Sequence, residues 1–568
     1  MCGILAILMS GLDYEQLRQL ALSRSRLLRH RGPDWNGVHL QQCSASLFNV
    51  LCHERLAVVD PASGKQPLFD STKSIACTVN GEIYNHVVLK ETMLPVEEVT
   101  QWTTCSDCQP LPSLYKFHGT KMCNMLDGMF AFVISDGRTG DFLAARDPLG
   151  LCPMYVGYAS DGSMWFASEL KALTRDCEQV TVFPPGHFYS SKLNEGKGGF
   201  ERYYNPSWWG LERPLPTRKC DLSHLREALE AAVRKRLMCD VPFGMLVSGR
   251  LDSSIVAAIA AREFQKMSEK EKDSHLWTHQ LYSFSIGLKG SADSQAAKKV
   301  ADVLGTHHYD FTFELDEGLD ALDDVIYMIE TYDITTVRAA VPMYLLCRLV
   351  KSMGIKVVLT GEGADEVFGG YSYFRDAPTP EAFHRELQRK LDLLHYYGIL
   401  RAGKASMAWG IEARVPFLDR EFLEFAMNVD PADKMCAQGR MEKQILRDAF
   451  KGYLPDEILY RPKQQFGEAV GSEWIDELQN HAERRVTDTM MRNAQVLFPT
   501  NTPVTKEGYL YRMIFAKHYN KGSAARTVHT GPFGGCSSAQ LDWNKKIQNN
   551  GVESAAPIEA RGIHQHRD

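Results

Sequence analysis

The chain has 568 residues, 44% apolar and 24% charged, the balance of an ordinary folded protein too long for a single core. A formal charge of −6 argues against nucleic acid or an anionic membrane surface as a partner. No apolar run approaches the roughly 20 residues that span a bilayer, which argues against a membrane protein.

The chain opens Met1-Cys2-Gly3-Ile4-Leu5. If Met1 is removed, Cys2 carries a thiol and a free α-amine, a nucleophile with its own base, because an amine of pKa near ~7.7–8.0 is partly neutral at cellular pH. A buried cysteine that merely comes early is the plain alternative. Gly3 to Met9 is apolar but short, and no basic stretch precedes it, so it reads as a strand rather than a signal peptide. Fourteen cysteines are scattered along the chain, and only Cys105 and Cys108 form a CxxC. With no second pair, zinc is not expected. Without a secretory signal, reduced thiols in the cytoplasm are expected.

The first ~200 residues read as β-rich. A helix is expected over Tyr14 to His30, and a buried strand over Gly128 to Ile134. Turn signals recur at Arg31-Gly32-Pro33-Asp34, Asn80-Gly81 and Pro184-Pro185-Gly186. The texture changes around residues 203 to 218, where Tyr203 to Trp209 lead into Pro214-Leu215-Pro216, and a linker is expected. Leu222, Leu225, Leu229 and Val233 then mark one face of a helix. Strands over Phe243 to Val247, Leu281 to Leu288, His308 to Phe313 and Ile355 to Thr360, with a helix over Ser253 to Phe264, predict a parallel α/β sheet. Beyond about Lys521 periodicity fades, and a loosely ordered tail is expected.

Two loops carry chemistry. Ser248-Gly249-Arg250-Leu251-Asp252-Ser253-Ser254 follows a strand and opens a helix, the arrangement of an anion site. Asp252 can hold Mg²⁺ bridging phosphate oxygens. The string resembles the pyrophosphate loop, SGGxDS, of enzymes that cleave ATP to AMP and pyrophosphate; a serine-capped helix is the plain alternative. Thr360-Gly361-Glu362-Gly363-Ala364-Asp365-Glu366 follows the fourth strand. By the doubly wound rule both loops should meet over one nucleotide.

Together with Arg29-His30-Arg31-Gly32-Pro33-Asp34-Trp35, His53-Glu54-Arg55-Leu56, Asn80-Gly81-Glu82-Ile83-Tyr84-Asn85-His86, Arg146-Asp147-Pro148-Leu149-Gly150, Glu330-Thr331-Tyr332-Asp333, Gly410 to Asp419 and Arg461-Pro462-Lys463, these strings resemble the glutamine-hydrolysing asparagine synthetases over about residues 2 to 520. The resemblance implies an α/β multidomain protein. An N-terminal-nucleophile αββα sandwich over 2–205 would act as the glutamine amidotransferase, followed by a linker over 206–218. A Rossmann-like parallel α/β ATP-pyrophosphatase domain with additional helices would cover 219–520, with a tail over 521–568.

It further implies a ligase that joins ammonia from glutamine to aspartate at the expense of ATP, with Mg²⁺ as cofactor, β-aspartyl-AMP as intermediate and an apolar tunnel for ammonia. Cys2 would be the nucleophile, with the Asn80 side chain and Gly81 N–H as oxyanion donors. Arg55 would hold the glutamine α-carboxylate, Leu56, Ala57, Val58 and Val59 would line the site, and Glu82 and Asp107 would take the α-ammonium. Val247 and Ile286 would flank adenine and ribose, and Thr360 and Gly361 would add backbone contacts. Ser248, Gly249, Asp252 and Ser253 match the pyrophosphate loop. Glu362 matches the residue tied to the intermediate, Arg338 and Lys463 would stabilise charge, and Asp365 would assist Asp252 with Mg²⁺. A homodimer is compatible with the resemblance.

The pattern breaks at three places. Arg250 stands where the family has glycine; it would block the loop, point outward or donate to phosphate. Cys105 replaces a glycine before Ser106-Asp107, and Gln109-Pro110 replace an acidic and an aliphatic residue within a helix. A glutaminase with an impaired synthetase half, a non-catalytic binding relative, and a synthetase for another carboxylate therefore stand as alternatives.

Overall fold

A computed structural model gives the structure of residues 1–210, 212–270, 280–436, 439–461 and 472–529, and these are the described residues. Strands are numbered in chain order. Two six-stranded antiparallel sheets form the N-terminal half. The first contains β1 (Gly3–Ser10), β2 (Trp35–Gln42), β3 (Phe48–Arg55), β8 (Tyr155–Ala159), β9 (Met164–Ala167) and β10 (Cys177–Val182), in the order β10-β8-β9-β1-β3-β2. The second contains β4 (Leu68–Phe69), β5 (Ile75–Ile83), β6 (Gly128–Asp136), β7 (Phe142–Arg146), β11 (His187–Ser190) and β12 (Gly199–Arg202), in the order β12-β11-β7-β6-β5-β4.

The sheets stack through β1 and β3 against β5 and β6. The helix Tyr14–Ser25 covers the outer face of the first sheet, and Pro110–His118 that of the second. This is an αββα sandwich. Strands β1 and β6 are covered on both faces, so they read as apolar runs instead of alternating ones.

The C-terminal half is built on one parallel sheet: β13 (Phe243–Leu246), β14 (Tyr282–Gly287), β15 (His307–Thr312), β16 (Val357–Leu359) and β17 (Glu412–Arg414), in the order β15-β14-β13-β16-β17. Strand order reverses between β13 and β16, so the loops after these two strands flank the switch point where a doubly wound sheet binds ligands. The helix Leu222–Lys235 follows the expected stripe, with Leu225, Leu229 and Val233 fully buried, and its N-cap is Asp221, accepting from Ser223 and His224 N–H. Among the described residues no helix is long and apolar enough to cross a membrane.

Several expectations are corrected. Asn80-Gly81 is no turn; both residues lie inside β5. Gly81 is required there for another reason. It has φ +146°, and a Cβ would sit 1.9 Å from the Met129 carbonyl oxygen on β6. The early helix ends at Ser25 and tightens into a 3₁₀ turn over Arg26–Leu28, and the helix after β13 runs further than expected, over Leu251–Lys270. Strand β17 carries no strand signal in the sequence, because Glu-Ala-Arg brings two charges that pairing and burial must satisfy.

The start of the expected linker is packed rather than free. Beyond Arg202, the last residue of β12, Tyr203, Tyr204 and Trp208 are buried. Tyr203 OH donates to Arg146 O at 2.8 Å, and Arg202 Nε donates to Tyr204 O at 3.0 Å. Of the expected tail over 521–568, residues 530–568 lie outside the described residues, and the part described is packed. Gly522–Arg526 is a helix with Ala524 and Ala525 buried, and Lys521 Nζ donates to Cys177 O at 2.8 Å, so this segment packs on β10.

Adding a methyl group at Gly81 should strain β5 and overpack it against β6, at about 1–3 kcal/mol. Calorimetry of Gly81→Ala should show the melting transition lowered by about 2–12 °C. An unchanged transition would contradict the close approach of β5 and β6.

Candidate active site

Two clusters of polar side chains, one in each half, carry the expected site residues. In the first, Cys2 directly precedes β1 and is 6% exposed. Its backbone N–H donates to Asn80 Oδ1 at 2.6 Å, and its Sγ accepts from Leu56 N–H at 3.4 Å. Burial pushes the thiol up from its ordinary value, opposed by the nearby N-terminal ammonium, so a base is needed to make thiolate. His53 does not supply one: burial holds it at about 3, and it bonds Thr78 Oγ1 at 3.1 Å. Asn80 is anchored through Oδ1, which leaves Nδ2 buried without a hydrogen-bond partner among the described residues. A buried, unsatisfied donor beside a nucleophile is available to a developing negative charge.

The rest of the expected glutamine set surrounds this pair. Arg55 is buried, and its guanidinium donates to the Val59, Asp60 and Pro61 carbonyls at 3.3, 2.6 and 3.2 Å. Leu56, Ala57 and Val58 are buried, and Val59 is partly so. Ala57 N–H donates to Asp34 Oδ2, and Asp60 N–H donates to Asp240 Oδ2, both at 2.8 Å. Burial and the neighbouring Asp107 push the Glu82 carboxyl up to about 8. Asp107 accepts from Ile83 N–H at 2.7 Å. The Met1 ammonium pairs with Glu412 and stands 3.9 Å from Glu82 Oε1.

Two departures from the family pattern are accommodated here. Cys105 has no positive φ, and its N–H donates to Asp60 Oδ2 at 2.8 Å. Pro110 occupies the first position of its helix, where a missing N–H costs nothing.

The second cluster lies at the switch point. Ser248 N–H donates to Ser253 Oγ at 3.1 Å, and the two hydroxyls are 3.0 Å apart, which closes the loop after β13. Val247 N–H donates to Phe284 O at 2.8 Å, and Ile286 follows two residues later on β14. The loops after β13 and β16 touch. A Cβ on Gly361 would sit 2.6 Å from Ser253 N. Thr360 N–H donates to Arg414 O at 3.0 Å, and Glu362 N–H to Thr360 Oγ1 at 3.3 Å.

Arg250 does not block this loop. The positive φ falls on Gly249, at +68°, where a Cβ would meet Ala296 C at 2.4 Å. Arg250 instead makes a fork to Asp293, Nε to Oδ2 at 2.8 Å and Nη2 to Oδ1 at 2.7 Å. Asp293 also receives Arg461 Nη2 at 2.7 Å, and Arg461 Nη1 donates to Gly249 O at 3.1 Å. The guanidinium thus braces the loop from its side.

Asp252 and Asp365 are brought together by a residue that sequence reasoning missed. Lys443 Nζ lies 2.6 and 2.7 Å from the Asp252 oxygens and 2.5 Å from Asp365 Oδ1. A lone lysine carries no signal in the sequence. An ammonium held between two carboxylates marks a place suited to positive charge, and two carboxylates plus substrate phosphates are an ordinary Mg²⁺ set. Among the described residues no group of three or more His, Cys, Asp or Glu side chains stands together as a metal site.

Arg401, also missed, pairs with Glu362. Arg338 is held in a fork by Glu507, with Nε to Oε1 at 2.8 Å and Nη2 to Oε2 at 2.5 Å. Lys463 lies outside the described residues.

Between the clusters, Arg414 Nη2 lies 3.7 Å from Glu82 Oε2 while its Nε holds Glu412 Oε1 at 2.7 Å. A small cavity lined by Arg146, Met154, Tyr155, Glu330, Leu400 and Val528 also opens between the two halves.

Comparison with known proteins agrees with this two-part layout. A glutamine amidotransferase domain family matches residues 1–189, and the asparagine synthase family matches residues 224–381 and 375–543. The chain is 52% identical over 563 residues to an asparagine synthetase [glutamine-hydrolyzing] of Triphysaria versicolor, covering 97% of this chain and 93% of that protein. It is 50% identical over 562 residues to asparagine synthetase [glutamine-hydrolyzing] 2 of Arabidopsis thaliana, covering 97% and 94%. A solved glutamine PRPP amidotransferase from B. subtilis aligns at 18% identity and a TM-score of 0.30 over 55% of this chain and 81% of that one. With full-length relatives at half identity and both family matches in order, the chain belongs to the glutamine-hydrolysing asparagine synthetase family.

Proposed function

We propose that the chain converts aspartate to asparagine with glutamine as nitrogen donor and ATP as the activating substrate, releasing glutamate, AMP and pyrophosphate. The observation that carries the reading is the pairing of Cys2 with the unsatisfied Asn80 amide in one half and of two touching nucleotide loops in the other.

Removal of Met1 makes the Cys2 nitrogen the terminal amine. It also removes an ammonium that stands beside Glu82, the place assigned to the α-ammonium of glutamine. The Cys2 thiol passes its proton to that amine and attacks the amide carbonyl. Asn80 Nδ2 and Gly81 N–H take the negative charge of the tetrahedral intermediate. Ammonia leaves with the returned proton, and water releases glutamate from the thioester. Arg55 binds the substrate carboxylate, with Leu56 to Val59 beside it, and Glu82 with Asp107 binds its ammonium.

In the other half, the aspartate β-carboxylate attacks the α-phosphorus of ATP and pyrophosphate departs. Ser248, Gly249 and Ser253 cradle the phosphates, Val247 and Ile286 flank the nucleoside, and Thr360 and Gly361 add backbone contacts. Asp252 and Asp365 are the residues that would hold Mg²⁺, whose chemistry there is to neutralise phosphate charge. Lys443, which pairs with both carboxylates, adds positive charge at the same place. Glu362 serves the acyl transfer in which ammonia displaces AMP, and Arg338 and Lys463 complete the charge balance. An impaired synthetase half loses its motive, because Arg250 is drawn to the side of the loop by Asp293.

Cys2→Ala should abolish glutamine-dependent asparagine formation and leave the ammonia-dependent rate within about twofold, read by product analysis with each nitrogen donor. Equal loss with both donors would contradict two separate sites. Arg250→Gly should not raise pyrophosphate formation. Loss of the brace should raise KM for ATP by about 2–10-fold, or up to ~1.4 kcal/mol, in a steady-state pyrophosphate assay. A faster Arg250→Gly variant would show that the guanidinium obstructs the loop.

A further inference from the structure

The helix Gly398–Ala405 carries two cations one turn apart, Arg401 and Lys404. Arg401 meets Glu362, the residue proposed for acyl transfer. Lys404 is fully buried and serves a different partner. Its ammonium pairs with Glu330 and donates to Tyr155 OH at 2.7 Å. Glu330 in turn is fastened to the other half of the molecule. Its carboxylate accepts the backbone N–H groups of Leu170 and Lys171 at 2.7 and 2.8 Å, and it lies 3.0 Å from Lys171 Nζ.

The series continues inward. Lys171 pairs with Glu169, Glu169 receives Arg31 Nη1 at 2.8 Å, and His30 Nε2 lies 3.0 Å from it. Arg31 Nε then donates to the Cys2 carbonyl at 2.9 Å.

Such an arrangement is a poor way to gain stability. Each buried ion carries a desolvation cost that its partner barely offsets, and apolar side chains would hold the domains together as well. What alternating buried charges do provide is one fixed geometry, since any slip leaves a charge unpaired. Glu330 is also held with φ +59°, a conformation that non-glycine residues adopt at some cost, so the chain bends to deliver this carboxylate.

We infer that Lys404 is a positioning residue for the synthetase reaction, pinned through Glu330 to the glutaminase-half turn at residues 169–171, so that Arg401 is presented to Glu362. The inference rests on the function proposed above. The synthetase site is then completed by a docked glutaminase half even when ammonia, not glutamine, is the nitrogen source.

The test uses the full chain with ammonia as donor. Lys404→Met should lower kcat for asparagine formation about tenfold or more while KM for ATP stays within about twofold, because the loop after β13 is braced elsewhere. Glutamine hydrolysis without ATP should persist. Since Lys404 acts through Arg401, Arg401→Gln with Lys404→Met should be no slower than Arg401→Gln alone. If Lys404→Met is insoluble, Lys404→Met with Glu330→Gln removes both charges and carries the same readings.

The inference is overturned if kcat stays within about twofold of wild type, if glutaminase and synthesis fall together, or if the Arg401 and Lys404 effects multiply. Absence of aspartate-dependent pyrophosphate in the wild-type protein would instead overturn the proposed function.

Discussion

Ions buried between the two halves set the terms for the rest of the molecule. Glu330, almost fully buried, comes from the parallel-sheet half and meets Lys404 of its own half and Lys171 with two backbone N–H groups of the other. Removing one member of such a pair costs about 3–5 kcal/mol, because the other is left charged and dry. The halves are therefore held in one register, unlike domains that share a wet, polar face and move freely. Arg414 shows the consequence most plainly. Its backbone carbonyl holds Thr360 at the start of the acidic loop, and its guanidinium reaches toward Glu82 beside Cys2. A single residue on β17 thus touches the surroundings of both sites.

The nucleotide cluster depends on a second constraint, close backbone approach. Gly249 and Gly361 are needed because a Cβ at either would strike the backbone that it packs against. Arg250 is tolerated because its backbone is ordinary and Asp293 captures its side chain. A departure from a motif is read correctly only when the position that bears the strain is known. Here the strained position is one residue earlier than the substitution.

Much of this was legible in the chain itself. Fully covered strands such as β6 announce themselves as apolar runs, and Leu225, Leu229 and Val233 mark a helix by spacing alone. The loops at 248–254 and 360–366 were readable because polar residues and glycines after a strand have few other uses. Interface partners were not. Lys404, Arg401 and Lys443 are isolated charges in sequence, indistinguishable from solvated ones until the fold buries them, and Glu330 was visible only as part of a motif with no role attached. Strand β17 was hidden because its two charges, Glu412 and Arg414, suit a strand only when each finds a partner. Asn80-Gly81 misled for a related reason: the dipeptide favours turns locally, but pairing of β5 with β6 overrides that preference.

The central claim is that one rigid interface makes two separate sites act on one nitrogen atom. Asparagine formed from amide-¹⁵N glutamine in the presence of excess unlabelled ammonium tests it most directly. Passage across the closed interface predicts that the product amide keeps the ¹⁵N label with little dilution. Dilution to the isotopic ratio of the solution would mean that ammonia escapes to solvent before reaching the acidic loop, and would contradict the account.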